Sequence, residues 1–256
     1  MIWRLSNRPF YPGFLWIGTA ILCGANAIKS QPENRNKGSI LTIRIENYVG
    51  RLLLALDSVT YQNELNQPFT VTKFKYYISA IHLKRSDGKA FISDQFQLVN
   101  EEENKSKQWT LSEVSEGIYT ELSFTLGVDS LHNCSGLQRG DLDPVNGMFW
   151  AWNTGYVFLK LEGKAPQSKS PGHIFEYHIG GFRKPANCIR TVRLALKELK
   201  IESGKQSVLT LKADASEVLK TPTTIDFSRL SSVVDFHNAT ILANNYNDMF
   251  SVLKTE

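Results

Sequence analysis

The sequence predicts an all-β fold, a mostly antiparallel β-sandwich of short strands with a small C-terminal helix. Apolar and polar residues alternate with a period of two in several short segments, the pattern of strands with one buried face. Gly, Asn and Asp turn signals recur between those segments. Helical spacing of apolar residues is confined to the end of the chain.

Taken in order, Ile40 to Glu46 places Leu41, Ile43 and Ile45 on one face, and Leu52 to Leu56 and Phe69 to Leu83 are rich in strand formers. Asp87-Gly88 then supplies a hairpin turn before Ala90-Phe91-Ile92. Ile118 to Val128, Phe149 to Leu161, Ile174 to Ile179, Thr191 to Ile201 and Val208 to Ala213 continue the pattern, the last two joined through Ser203-Gly204. From Ala239 to Leu253, Ile241, Leu242, Tyr246, Met249, Phe250 and Leu253 recur at helical spacing, so a terminal helix is expected to pack on the sandwich. Such a two-layer arrangement is how sheets with one apolar face bury it.

At 256 residues, 42% hydrophobic and 21% charged, the chain is long enough for one large domain. Arg4 and Arg8 precede an apolar stretch from Phe10 to Leu22 that ends in Gly24-Ala25-Asn26-Ala27, the marks of a signal peptide over residues 1–27. Lipid anchoring through Cys23 is the rival reading, against which bulky Leu22 stands. Residues 28–38 read as a polar linker and 39–256 as the folded domain, periplasmic or extracellular, with no apolar run long enough to span a bilayer. Cleavage removes two arginines and no acid, so the formal charge falls from +4 to +2, and no basic block interleaves with aromatics to support nucleic-acid binding. Cys134 and Cys188 then remain; in an oxidising compartment they are expected to form one disulfide, with paired soft metal ligands as the alternative.

Chemistry-bearing residues concentrate between Asp141 and Gly181. A continuous strand over 148–161 would set Met148, Trp150 and Trp152 on one face, either as core filling or as the lining of a site. Five histidines are present, and imidazole is a common ligand for transition metals. His178 ends an aromatic strand beside Gly180-Gly181, which would allow close approach of the backbone. His82, His173 and His237 read as surface residues. Asp141, Asp143 and Asn146 could offer oxygens to calcium, although Val145 breaks the spacing of an EF-hand; capping of turn amides is the plainer role. A hydrolase built on Asp141, Asp143, Glu162 and His178 is a competing class. No Gly-x-Ser-x-Gly elbow, His-Glu-x-x-His or phosphate loop accompanies it. A third class is a ligand- or carbohydrate-binding module that uses the aromatic row as a platform.

The ordered set Lys75-Tyr76-Tyr77-Ile78-Ser79, Phe124-Thr125-Leu126-Gly127-Val128-Asp129-Ser130, Gly140-Asp141-Leu142-Asp143-Pro144, Asn146-Gly147-Met148-Phe149-Trp150-Ala151-Trp152-Asn153-Thr154-Gly155-Tyr156, Lys160-Leu161-Glu162-Gly163, Phe175-Glu176-Tyr177-His178-Ile179-Gly180-Gly181, Asn244-Asn245-Tyr246 and Met249-Phe250 resembles the MbnP-like secreted copper-binding proteins, in their Bacteroidetes-type branch. The resemblance implies a periplasmic or surface β-sandwich that handles copper, with a di-haem peroxidase-like partner enzyme able to oxidise a tryptophan to kynurenine. It assigns His178 to the family's His-x-Gly position and His132 to a loop where relatives carry Asn-His. Here the pair is His132-Asn133, and Cys134 stands where that histidine would fall. The expected site therefore joins His178 and His132 as ligands, with Trp150 and Trp152 at the rim.

Overall fold

The structure, a computed structural model, describes residues 39–150, 155–234 and 238–256. The expected signal peptide and linker, Cys23, Trp152 and His237 lie outside the described residues. The strands are β1 Ser39–Val49, β2 Leu52–Leu53, β3 Tyr61–Gln62, β4 Pro68–Arg85, β5 Ala90–Ser93, β6 Gln97–Asn100, β7 Gln108–Val114, β8 Gly117–Leu126, β9 Phe149–Trp150, β10 Gly155–Lys164, β11 Ile174–Gly180, β12 Arg190–Ile201, β13 Gln206–Asp214, β14 Ser232–Val233 and β15 Phe250–Thr255. Among the described residues two α-helices, α1 Ser130–Cys134 and α2 Ala239–Asn245, join them. No helix among the described residues is long and apolar enough to cross a membrane.

Two sheets form the expected sandwich. The smaller has the order β15-β13-β1-β2 with β7 also on β1; the larger runs β12-β8-β4-β10-β11-β14, with β3, β5 and β6 on β4 and β9 on β10. Pairing is antiparallel except for β1 with β13 and β11 with β14. The alternation read for β1 holds: Leu41, Ile43 and Ile45 are buried, and Ile43 and Ile45 lie opposite Leu209 and Leu211 of β13. Such cross-strand aliphatic pairs are the unit from which a buried sheet face is built. Phe250 of β15 meets Tyr76 of β4 at 5.7 Å and Phe124 of β8 at 4.9 Å between ring centroids, which closes the two layers on each other. The Tyr76 hydroxyl donates to Asn47 Oδ1 at 2.8 Å, so this core tyrosine keeps a partner.

Tyr76 and Tyr77 are neighbours on β4 and both are fully buried. Successive strand residues point to opposite faces, so the larger sheet is covered on both sides. Its outer cover over Tyr77 comes from the segment leading to β9. The Tyr77 hydroxyl donates to the Asp141 carbonyl at 2.8 Å, its ring meets Tyr156 edge-on at 6.0 Å, and Leu142 and Met148 are buried.

Three expectations are corrected. The single strand over Phe149 to Leu161 is two, because Gly155 and Tyr156 pair back on Trp150 and Phe149 in antiparallel register. The terminal helix stops at Asn245, where a 3-10 turn over Tyr246–Asp248 leads into β15, antiparallel on β13. Leu242, Tyr246, Met249 and Phe250 are buried as their spacing suggested, but a turn and a strand reproduce that spacing as well as a helix does. Cys134 and Cys188 are free, not a disulfide: Cys134 is exposed, whereas Cys188 is turned into the core. Burial pushes the Cys188 thiol up to about 12, which keeps it protonated and unreactive.

Candidate functional site

On β11, Phe175, Tyr177 and Ile179 are buried in the core, so Glu176, His178 and Gly180 share the opposite face. Gly180 is there because nothing larger fits. A Cβ at that position would stand 2.4 Å from the Tyr156 carbonyl oxygen and 2.7 Å from Cζ3 of Trp150. The Trp150 indole therefore lies over Gly180, the next same-face position after His178 and about 7 Å farther along the strand. Close approach of a backbone at Gly180 was legible in the sequence, and the Tyr156 carbonyl comes nearest; the tryptophan ring beside it was not foreseen.

His178 is opposite Lys160 of β10, and its Nε2 donates to Glu162 Oε1 at 2.8 Å. Lys73 of β4 donates to the other Glu162 oxygen at 3.2 Å. The hydrogen bond from His178 is the main reason that the Glu162 carboxyl is lowered from 4.5 to about 2, with burial opposing and Lys73 assisting. The carboxylate is thus ionised at neutral pH and fixes the ring: Nε2 carries the proton, and in the neutral imidazole Nδ1 keeps the lone pair. A carboxylate that orients one ring nitrogen while the other stays available is the arrangement that supports metal-binding histidines.

The same pair has a pH signature. Because the folded pKa of Glu162 lies below its unfolded value, its contribution is fully present above about 4.5 and is lost as pH falls through about 2. The Glu162 side chain is 21% exposed, so the contribution is on the order of 3 kcal/mol at most. Glu162→Gln is expected to flatten the stability profile between about pH 5 and pH 2 by that amount. Urea unfolding of both proteins across this range checks it; parallel profiles would show that the pair is not formed.

The second histidine sits on the segment that covers the larger sheet. Asp129 caps α1, accepting from the His132 amide at 2.9 Å and from His132 Nδ1 at 2.7 Å. Burial works to raise the Asp129 pKa, but these bonds outweigh it and the carboxyl sits below its ordinary value. The His132 ring packs edge-on against Phe96 at 4.5 Å. Asn133, buried, pins the helix to β10: its amide donates to the Val128 and Asp129 carbonyls at 2.7 and 2.9 Å, and its oxygen accepts from the Tyr156 amide at 2.9 Å. Cys134 follows, with Arg183 Nη2 donating to its sulfur at 3.3 Å.

Between α1, the β9–β10 pair and the 181–186 loop lies a cleft of about 520 Å³. Its lining includes Trp150, Asn133, Cys134, Phe182 and the cations Arg183 and Lys184. Trp150 is only 7% exposed, so it fills the core and walls the cleft at once.

The other sequence candidates have structural partners. Asp141 Oδ2 accepts from the Leu98 amide at 2.7 Å, Asp143 Oδ1 from the Val145 amide at 2.9 Å, and the Asn146 amide donates to the Gly140 and Asp141 carbonyls. Capping of backbone amides accounts for both aspartates, and burial raises the Asp141 pKa despite the Leu98 bond. The four residues of the hydrolase reading divide accordingly, since Asp141 serves β6, Asp143 its own turn, and Glu162 the His178 ring. No group of three or more His, Cys, Asp and Glu side chains among the described residues could hold a metal ion. Sequence reasoning had Glu162 only as a catalytic acid and missed Asn133 as a clamp and Arg183, Lys184 and Phe182 as lining. Their one sequence signal was the cation pair beside Phe182, in a loop with no acid from Gly180 to Cys188.

No curated protein sequence matches the chain. Among solved structures, MbnP from Methylosinus trichosporium is similar, with a TM-score of 0.49 and 12% identity over 74% of this chain and 79% of that one. The MbnP family model matches residues 38–237, most of the sequence and nearly all of both sheets, and the chain belongs to the MbnP family.

Proposed function

We propose that this protein is an exported, periplasmic or extracellular member of the family that handles copper. His178 Nδ1 is the principal ligand, His132 Nε2 the second, and Trp150 and Trp152 form the rim. In this reading one of the tryptophans is the residue that a di-haem peroxidase-like partner oxidises. The observation that carries it is the Glu162–His178 pair at 2.8 Å, set on the same strand face as the Trp150 indole. Imidazole nitrogens with carboxylate partners fit copper in kind. In number they fall short of a closed site, since the described residues do not gather three donors, so we assign His178 as the anchoring ligand and derive no chemistry from the metal itself.

Bound copper would be held as a cation in this site. The chain's own part is to hold the His178 ring in one tautomer through Glu162 and to keep the indole beside it in a fixed position. Elemental analysis and intact mass on protein from its native host test the reading. The expected result is copper in the wild type, a mass shift on the peptide that carries Trp150 and Trp152, loss of copper in His178→Ala with the fold retained, and an affinity reduced about tenfold or more in Glu162→Gln. His178→Ala binding Cu(II) as tightly as wild type would overturn it.

A further inference from the structure

The cleft beside Trp150 has a chemistry unlike that of the Glu162–His178 pair. Among the described residues its lining includes two cations, Arg183 and Lys184, and no carboxylate. Neither cation has an ion-pair partner among the described residues, whereas Lys73, Lys75, Lys107 and Lys212 each have one. The Arg183 guanidinium is nevertheless held in place: it stacks on the Phe182 ring at 4.8 Å and spends one donor on the Cys134 sulfur, a weak acceptor. Four of its five donors are left for a stronger acceptor. Two neighbouring like charges at the mouth of a concave, partly apolar site raise the local positive potential, which attracts an anion and repels a metal cation.

Size and walls narrow the ligand. A cleft of about 520 Å³ is too large for a lone inorganic anion and falls in the range of small-molecule sites. The rings of Trp150 and Phe182 suit a flat ring. We propose that this cleft binds a small aromatic carboxylate, with Arg183 and Lys184 taking the charge and Trp150 and Phe182 the ring. The proposal does not rest on copper binding.

One ring carried in three charge states provides the test, by calorimetry on chelator-treated, metal-free protein: 1-naphthoate, the neutral 1-naphthamide and the cationic 1-naphthylmethylammonium. The expected order is naphthoate at least about tenfold tighter than the amide, the scale of one charge-assisted hydrogen bond, with no binding of the ammonium. Arg183→Gln should weaken naphthoate by about tenfold or more. Lys205→Gln, at an exposed turn where Lys205 pairs with Glu202, should leave it unchanged. Arg183 is an exposed loop residue, so the variant should unfold at the wild-type temperature, and that is measured alongside. Equal binding of naphthoate and amide, an unchanged Arg183→Gln, or no naphthoate binding at about 1 mM would each overturn the proposal. Because the protein is metal-free throughout, failure here is separable from failure of the copper reading.

Discussion

Gly180→Ala should destabilise the protein by about 3 kcal/mol and lift the Trp150 indole off β11. The added methyl would meet the Tyr156 carbonyl oxygen at 2.4 Å and the indole at 2.7 Å. The first contact is backbone within a paired strand and cannot swing aside, so β10 and β11 must separate or the ring must leave. A control of the same kind exists on β10. A Cβ at Gly163 would stand 1.9 Å from the Thr70 carbonyl and 2.6 Å from the Phe175 ring, so Gly163→Ala should cost at least as much. Its clash lies in the aromatic cluster of Phe69, Phe175 and Phe227, not beside Trp150. Urea unfolding reports both losses, and naphthoate and copper binding to the folded fraction distinguish them: Gly180→Ala should lose both ligands and Gly163→Ala neither. A Gly180→Ala protein within about 1 kcal/mol of wild type would show that the indole does not lie where it is described.

The second large effect is expected at Asn133. Its side chain makes three hydrogen bonds in a buried position, and alanine would leave the Tyr156 amide and the Val128 carbonyl without partners. Orphaning buried backbone groups costs the full desolvation of each, so Asn133→Ala should lose about 3 kcal/mol. Asn133→Asp should be no better at neutral pH. It keeps the acceptor for Tyr156 but turns the donor into a second acceptor facing two carbonyls. Beyond stability, either change frees α1, and with it Cys134 and the His132 ring. Amide hydrogen exchange at Tyr156 reads this directly, and protection equal to wild type in Asn133→Ala would refute the clamp.

Much of the fold was legible because it is local. The alternation of β1, the long β4 and the Asp87-Gly88 turn, with Gly88 at φ +86°, follow from periodicity and from the freedom of glycine to adopt that angle. What failed depended on pairing across distance. A two-residue strand that folds back on Gly155 has the same apolar alternation as a continuous one, and β15 has the apolar spacing of a helix until β13 is known to lie beside it. The disulfide was argued from compartment and count, and neither says that Cys188 points into the core. Within the site, His178 and Trp150 stood out by residue type. Glu162 and Asn133 did not, since a carboxylate that orients a ring and an amide that pins a helix are recognisable only once their partners are in place.

The parallel pairing of β1 with β13 has a consequence for how the chain comes together. Ser39 at the start of β1 hydrogen-bonds to Glu202, 163 residues away, and Gly50 just after its end bonds to Asp214. While the chain is being made, β1 has only β2 and β7 to pair with, and one long edge of an apolar strand waits for residues near the other end. Closing so large a loop is slow. The smaller sheet thus stays unfinished until β13 has emerged, and until then the edge of β1 that β13 will cover is open to wrong partners.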